Sequence, residues 1–287
     1  AELLRSVKHI TTNGTFIKKH LDLIKKYNLT FQISLDGDQQ GNSQRVYADG
    51  RDSFSDVMEA VKLCKENNLE WKVHGVLSTQ NSSRYIEIVK FLLDLYLKDK
   101  DIDKAIQVFR GNFSMMVLED SYTDEFLDIF LEQLEGLTRW IISLPLTDRQ
   151  KRDLFKYTVV RDEIFSICGA SGGLKVLVDD QIYPCHRALD KDYYSLGKVT
   201  EASELKNVNL YNAWYDLKRT GMMYSPTLSF TGKYRHSDTK IPGWIMWCFA
   251  SNGNYADGNP SYINPKFAVF ASEVSRFTNY LSKKYRL

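Results

Sequence analysis

Along the first hundred residues, short apolar-rich runs alternate with longer amphipathic ones. Ser6–Ile10 reads as the end of a strand, closed by the turn pair Asn13-Gly14. Phe16–Tyr27 sets Phe16, Leu21, Leu23 and Ile24 among lysines, a helix-like pattern. Leu29–Leu35 predicts a strand ended by Asp36-Gly37, with a polar loop running on to Arg51. Phe54–Asn67 puts Val57, Ala60, Val61 and Cys64 on one face and predicts an amphipathic helix. Trp71–Leu77 then reads as a strand, Ser83–Tyr96 as a helix and Ala105–Phe109 as a strand. Strands and helices alternating at this spacing imply βαβ units and a parallel sheet.

After about Asn112 the pattern changes. Thr123–Leu144 is one long helical stretch, with Phe126, Ile129, Phe130, Leu134 and Leu137 apolar, and Pro145 interrupts it. Thr147–Ile167 predicts another helix with Thr147 as its N-cap. Leu174–Val178 and Gln181–Cys185 flank Asp179-Asp180 and predict a β-hairpin. A tail helix is expected from about Pro265 to Tyr285.

Composition narrows the function classes. The chain has 287 residues, 43% hydrophobic and 26% charged, so a folded globular protein of one large or two ordinary domains is expected. Lys plus Arg number 38 and Asp plus Glu 36, a net charge of +2 without a basic block. That gives no footprint for nucleic acid. Charge breaks every apolar run well short of the roughly 20 residues that a membrane span needs. Four cysteines, Cys64, Cys168, Cys185 and Cys248, do not make a disulfide scaffold at this length.

Candidate chemistry sits at strand ends. In parallel sheets and barrels, ligands gather at the carboxyl ends of strands. Thr12-Asn13-Gly14, Ser34-Leu35-Asp36-Gly37 and Ser78-Thr79-Gln80-Asn81 all fall there. Asn-Gly and Asp-Gly also make ordinary turns, and three such clusters at equivalent ends shift the weight toward a site. The hairpin places Cys168 and Cys185 at its two ends, and Cys248 lies in Trp247-Cys248-Phe249-Ala250-Ser251-Asn252. Without CxxC spacing a zinc site has little support. Cys64 belongs to the apolar face of its helix.

Thr12-Asn13-Gly14, followed by Phe31-Gln32-Ile33-Ser34-Leu35-Asp36-Gly37, Arg45, Gly50, Ser53-Phe54 and Val57, resembles the middle of a radical SAM enzyme of the branch that carries a SPASM domain. Cys168-Gly169-Ala170, Tyr183-Pro184-Cys185-His186-Arg187, Leu196-Gly197-Lys198-Val199 and the segment around Cys248 resemble the SPASM region itself. That branch includes anaerobic sulfatase-maturing and other peptide-modifying enzymes. The resemblance implies an α/β fold. Residues 1–115 would form a partial (β/α)6 barrel holding its third to sixth strands, 116–165 a helical connection, and 166–287 a small SPASM-like α+β subdomain. It implies S-adenosylmethionine and a [4Fe–4S] cluster as cofactors, cleavage to a 5′-deoxyadenosyl radical, and hydrogen abstraction from a peptide or protein. A reductant such as flavodoxin or ferredoxin and a cytoplasmic location go with it.

Residue by residue, the resemblance implies that Asn13, Ser34, Asp36 and Arg45 line the S-adenosylmethionine site, with Arg45 near the methionyl carboxylate. It implies Cys168, Cys185 and Cys248 as ligands of an auxiliary iron–sulfur cluster. His186 stands where sulfatase maturases carry a proton-accepting Asp and is the candidate base. A sulfatase substrate is thus not expected. The CxxxCxxC loop that holds the radical-generating cluster is absent. Ile245 and the stretch Phe267–Phe270 stand where relatives place further cysteines. The sequence is therefore expected to begin about a third of the way into the barrel, as a fragment that is inactive and folds poorly alone. The competing reading is a non-catalytic, cluster-free scaffold that binds a peptide or partner.

Overall fold

The computed structural model describes residues 9–97, 102–103, 105–106, 113–117, 123–160, 176–178, 180–183, 197–198 and 265–287. The chain divides into two compact units, Ala1–Arg161 with Phe277–Leu287, and Asp162–Arg276.

In the first unit, strands β1 (His9–Thr12), β2 (Thr30–Ser34), β3 (Trp71–Leu77) and β4 (Phe113–Val117) form a parallel sheet in that order. The register pairs Thr11 with Gln32, Ser34 with His74 and Leu77 with Val117. Parallel strands need crossovers, and helices supply them. Helix α1 (Leu21–Tyr27), entered through a 3₁₀ turn at Lys18–His20, joins β1 to β2. Helix α2 (Phe54–Glu66) joins β2 to β3. Helix α3 (Tyr85–Leu97), entered through a 3₁₀ turn at Ser82–Arg84, follows β3.

Helix boundaries follow local chemistry. Asn28 stops α1 by turning left-handed at φ 49°, its N–H bonding back to Ile24 and Lys25. Helix α2 buries Val57, Ala60, Val61 and Cys64, the expected stripe. Helix α4 (Asp124–Ser143) starts at Thr123, whose hydroxyl accepts from Phe126 N. Helix α5 (Asp148–Phe155) starts with a reciprocal capping box between Thr147 and Gln150 and runs into a π-helical turn at Lys156–Val160. Tyr85 Oη donates to the Thr158 carbonyl of that turn at 2.9 Å.

The core lies on one face of the sheet. Phe31, Ile33, Leu35, Val73 and Leu77 are buried there, as are Ile24 of α1 and the α2 stripe. Trp71 stacks on Tyr96 at 5.1 Å, and Tyr96 Oη accepts from Val73 N, tying α3 to β3. Helix α3 meets α4 through the Tyr85–Phe130 edge contact and the bond from Ile86 N to Gln133 Oε1.

One element departs from the sequence expectation. Ala105 and Ile106 are buried and helical, and the fourth strand is Phe113–Val117, not Ala105–Phe109. A short apolar run has no period long enough to separate strand from buried helix.

The second unit contains the expected hairpin, β5 (Val176–Val178) and β6 (Gln181–Tyr183), with β7 (Gly197–Lys198) added to it antiparallel. Asp180 holds the turn at φ 66°. Helix α6 (Pro265–Tyr285) closes the chain. Among the described residues, no helix is long and apolar enough to cross a membrane.

Candidate functional site

The loops after β2 and β3 form a hydrogen-bonded cluster at the carboxyl end of the sheet. Asp36, 4% exposed, stands at its centre. Arg45 grips it with two parallel bonds, Nε to Oδ2 at 2.7 Å and Nη2 to Oδ1 at 2.8 Å. Val76 N donates a third bond to Oδ1 at 2.6 Å, fastening the β2 loop to β3. A carboxylate out of water needs such compensation, and here a guanidinium fork and a backbone N–H provide it. The Asp36 backbone N–H is in turn held by Asn42 Oδ1 at 3.1 Å.

Further bonds shape the loop. Ser53 Oγ donates to the Arg45 carbonyl at 2.6 Å, and an antiparallel bridge joins Val46 to Asp52. Asp38 accepts from Gly41 N at 2.9 Å and pairs with Arg84 at 2.6 Å. Asn81, buried, accepts from Ser78 N and donates to the carbonyls of Val76 and Gly41. Gly37 lies at φ 131°, where an added Cβ would stand 2.6 Å from Ile88 Cγ1. Only glycine admits both that dihedral and that approach.

The remaining sequence-predicted positions divide clearly. Ser34 is half-buried at the end of β2, with no hydrogen-bond partner for its hydroxyl among the described residues. Asn13 is exposed, and its Oδ1 accepts from Thr15 N at 3.3 Å and Thr15 Oγ1 at 3.0 Å, an Asx turn. Asp36 and Arg45 are brought together; Arg45 is 28% exposed and its Nη1 has no partner among the described residues. Cys168, Cys185, His186 and Cys248 lie outside the described residues. Cys64 is buried in the core, and burial pushes its thiol up to about 12. Among the described residues, no three His, Cys, Asp or Glu side chains gather in a metal-holding group.

The sheet has a second face that sequence reading missed. Thr11, Gln32, Ser34, Lys72, His74 and Val76 fall on the side opposite the core by strand alternation and register. Of these, Gln32, Ser34, Lys72, His74 and Val76 are half-buried. Strands of a parallel sheet covered on both sides are usually apolar throughout. Polar residues at every second position of β2, with Lys72 and His74 on β3, were the available signal.

The first unit is thus a parallel α/β sheet with one apolar face, one polar face and a polar loop cluster at its carboxyl end, the end where ligands gather in α/β folds. Among the solved structures that the chain resembles are those of anSMEcpe, an anaerobic sulfatase-maturating radical SAM enzyme. Native anSMEcpe with bound AdoMet matches at a TM-score of 0.60 and 16% identity, over 96% of this chain and 72% of that one. The form with bound AdoMet and Kp18Cys peptide matches at 0.58 and 15% identity, over 96% and 74%. The resemblance to radical SAM enzymes read from the Thr12-Asn13-Gly14 and Ser34-to-Gly37 motifs is thus borne out, and the described sheet is four parallel strands. An uncharacterized protein of Methanocaldococcus jannaschii, MJ0907, is 23% identical over 157 residues, 54% of this chain. The chain matches about half, 52%, of that relative's length. No family model matches the chain.

Proposed function

We propose that the protein is of the radical SAM class and acts on a peptide or protein. The supporting observation is a fold shared with anSMEcpe over 96% of the chain, carrying the Asp36–Arg45 cluster at its strand ends. AdoMet and peptides are bound in those anSMEcpe structures, and we extend both to this chain as ligands. In this reading β1 to β4 are the third to sixth strands of a (β/α)6 barrel within residues 1–115, residues 116–165 connect, and 166–287 are SPASM-like. A flavodoxin- or ferredoxin-type reductant and a cytoplasmic location complete it.

The described residues fit S-adenosylmethionine. Arg45 keeps its Nη1 edge after pairing with Asp36, and the Ser34 hydroxyl has no other partner among the described residues. A guanidinium edge and a hydroxyl suit the methionyl carboxylate. Asp36, with both oxygens engaged, positions Arg45. Asn13 stands at the neighbouring strand end and adds its amide. When bound and reduced, S-adenosylmethionine supplies hydrogen-atom abstraction. Cys64, the one cysteine among the described residues, is a core side chain and not a cluster ligand. Cys168, Cys185 and Cys248 stay the proposed auxiliary ligands, and His186 the proposed base.

Calorimetric titration of the chain with S-adenosylmethionine tests the site. Binding should weaken about tenfold in Ser34→Ala and be lost in Arg45→Met. No binding by the unaltered chain, or equal binding by both variants, overturns the assignment. The native protein reconstituted without oxygen should form 5′-deoxyadenosine when reduced; none would leave the binding scaffold as the reading.

A further inference from the structure

We infer that Lys72 is the recognition point for a carboxylate of the peptide substrate, a step that rests on the peptide-modifying reading above. Lysine side chains usually stand in water or beside an acid. Lys72 does neither. It is the second residue of β3, half-buried on the polar face of the sheet, and it forms no hydrogen bond or ion pair among the described residues. Its register partner is Gln32, a neutral amide. The other described positions on that face of β1 to β3 carry hydroxyls, an imidazole and Val76, and none is acidic. Glu70, two residues earlier, is exposed and makes no ion pair with Lys72. Among the described residues, the face therefore holds a cation without a counter-charge.

Position separates this point from the strand-end site. Val76, whose N–H binds Asp36, lies four residues further along β3, roughly 13 Å at the rise of a strand. A ligand anchored at Arg45 and a carboxylate anchored at Lys72 would share one sheet face without competing for one charge. A half-buried ammonium discriminates strongly between a carboxylate and its amide, since only the former returns the solvation lost by both.

Four fluorescein-labelled heptapeptides of one sequence serve as probes. They carry Glu or Gln at the centre, and a free or amidated C-terminus. Anisotropy titrations with the whole chain, at up to millimolar concentration, should show at least one carboxylate preferred over its amide by about tenfold, about 1.4 kcal/mol. The pair showing it tells side chain from terminus. Lys72→Met should abolish the preference, Lys72→Arg should retain it, and Lys62→Met, on the exposed side of α2, should leave it unchanged. Where Lys72→Met fails to fold, Lys72→Gln carries the same test. No preference in the unaltered chain, no binding of any peptide, or a preference that survives loss of the Lys72 charge overturns the inference. Formation of 5′-deoxyadenosine reports on the radical reading separately. A protein that discriminates carboxylates without forming it keeps this inference and loses that reading; one that forms it without discriminating does the reverse.

Discussion

Replacing Asp36 by Asn keeps the side chain's size and removes its charge. The amide oxygen can occupy one carboxylate position only. Placed at Oδ1, it keeps Val76 N and Arg45 Nη2, now 2.6 Å and 2.8 Å away, and turns its NH2 toward Arg45 Nε at 2.7 Å. The opposite orientation sets NH2 against two donors and is worse. The first orientation therefore costs one charge-assisted bond and leaves two donors facing each other. Removing one partner of a buried ion pair costs about 3–5 kcal/mol. Arg45, 28% exposed, can partly rehydrate, which points to the lower end, about 3 kcal/mol. At about 1.4 kcal/mol per tenfold, that is roughly a hundredfold in a local opening equilibrium. Hydrogen exchange read by mass spectrometry on segments covering residues 36–45 and 74–80 should accelerate by that factor in Asp36→Asn, with distant segments unchanged. Arg45→Met alone should also loosen the loop, and the double variant should be no worse than either single one, as coupled partners require. Unchanged protection at Val76, or additive losses, would refute the coupling of the two loops through this carboxylate.

Two other outcomes follow from the same coordinates. Gly37→Ala must place a Cβ 2.6 Å from Ile88 Cγ1 at a φ of 131°, so its thermal unfolding midpoint should fall by an amount matching about 1–3 kcal/mol, and an unchanged midpoint would show that the α3 packing yields. Glu135 sits between Lys284 at 2.8 Å and Arg139 at 2.9 Å, and the hydrogen bond from Lys284, then that from Arg139, holds its carboxyl down at about 2. A carboxyl depressed when folded adds stability that is complete above its ordinary value and is lost as pH falls toward 2. The stability gap between the unaltered chain and Glu135→Gln, measured in urea at pH 5, 4 and 3, should therefore shrink with falling pH; a constant gap would remove the pair from the account.

The strands and helices around the sheet were legible because each carries a period or a punctuation residue. Thr123 and Thr147 begin helices through their own hydroxyls and Asn28 ends one through its left-handed backbone, with no help from distant parts of the chain. The fourth strand was not legible, since Ala105 and Ile106 are as buried in a helical turn as they would be in a strand. Asp36 and Arg45 could each be singled out from a family resemblance, yet their mutual grip could not. It depends on a loop that Ser53, Asn42 and the Val46–Asp52 bridge fold back on itself. Asn81 stood in a cluster marked by turn chemistry, while its bond to Gly41 spans 40 residues and no local pattern announces it. Lys72 and His74 were hidden for another reason. A polar residue in a strand reads as solvent-facing, and no local pattern announces that the face carrying Lys72 and His74 is half-buried.

Asn81 carries a consequence for anyone rebuilding this protein. By holding the Gly41 and Val76 carbonyls at once, it makes the segments 36–45 and 76–84 a single inheritable module. A graft of either segment alone from a distant relative would arrive without its fastening. Exchanging both as a pair would carry the fastening along, so recombination libraries should place their crossover points inside the helices Leu21–Tyr27 and Tyr85–Leu97 and leave the strand ends between them intact.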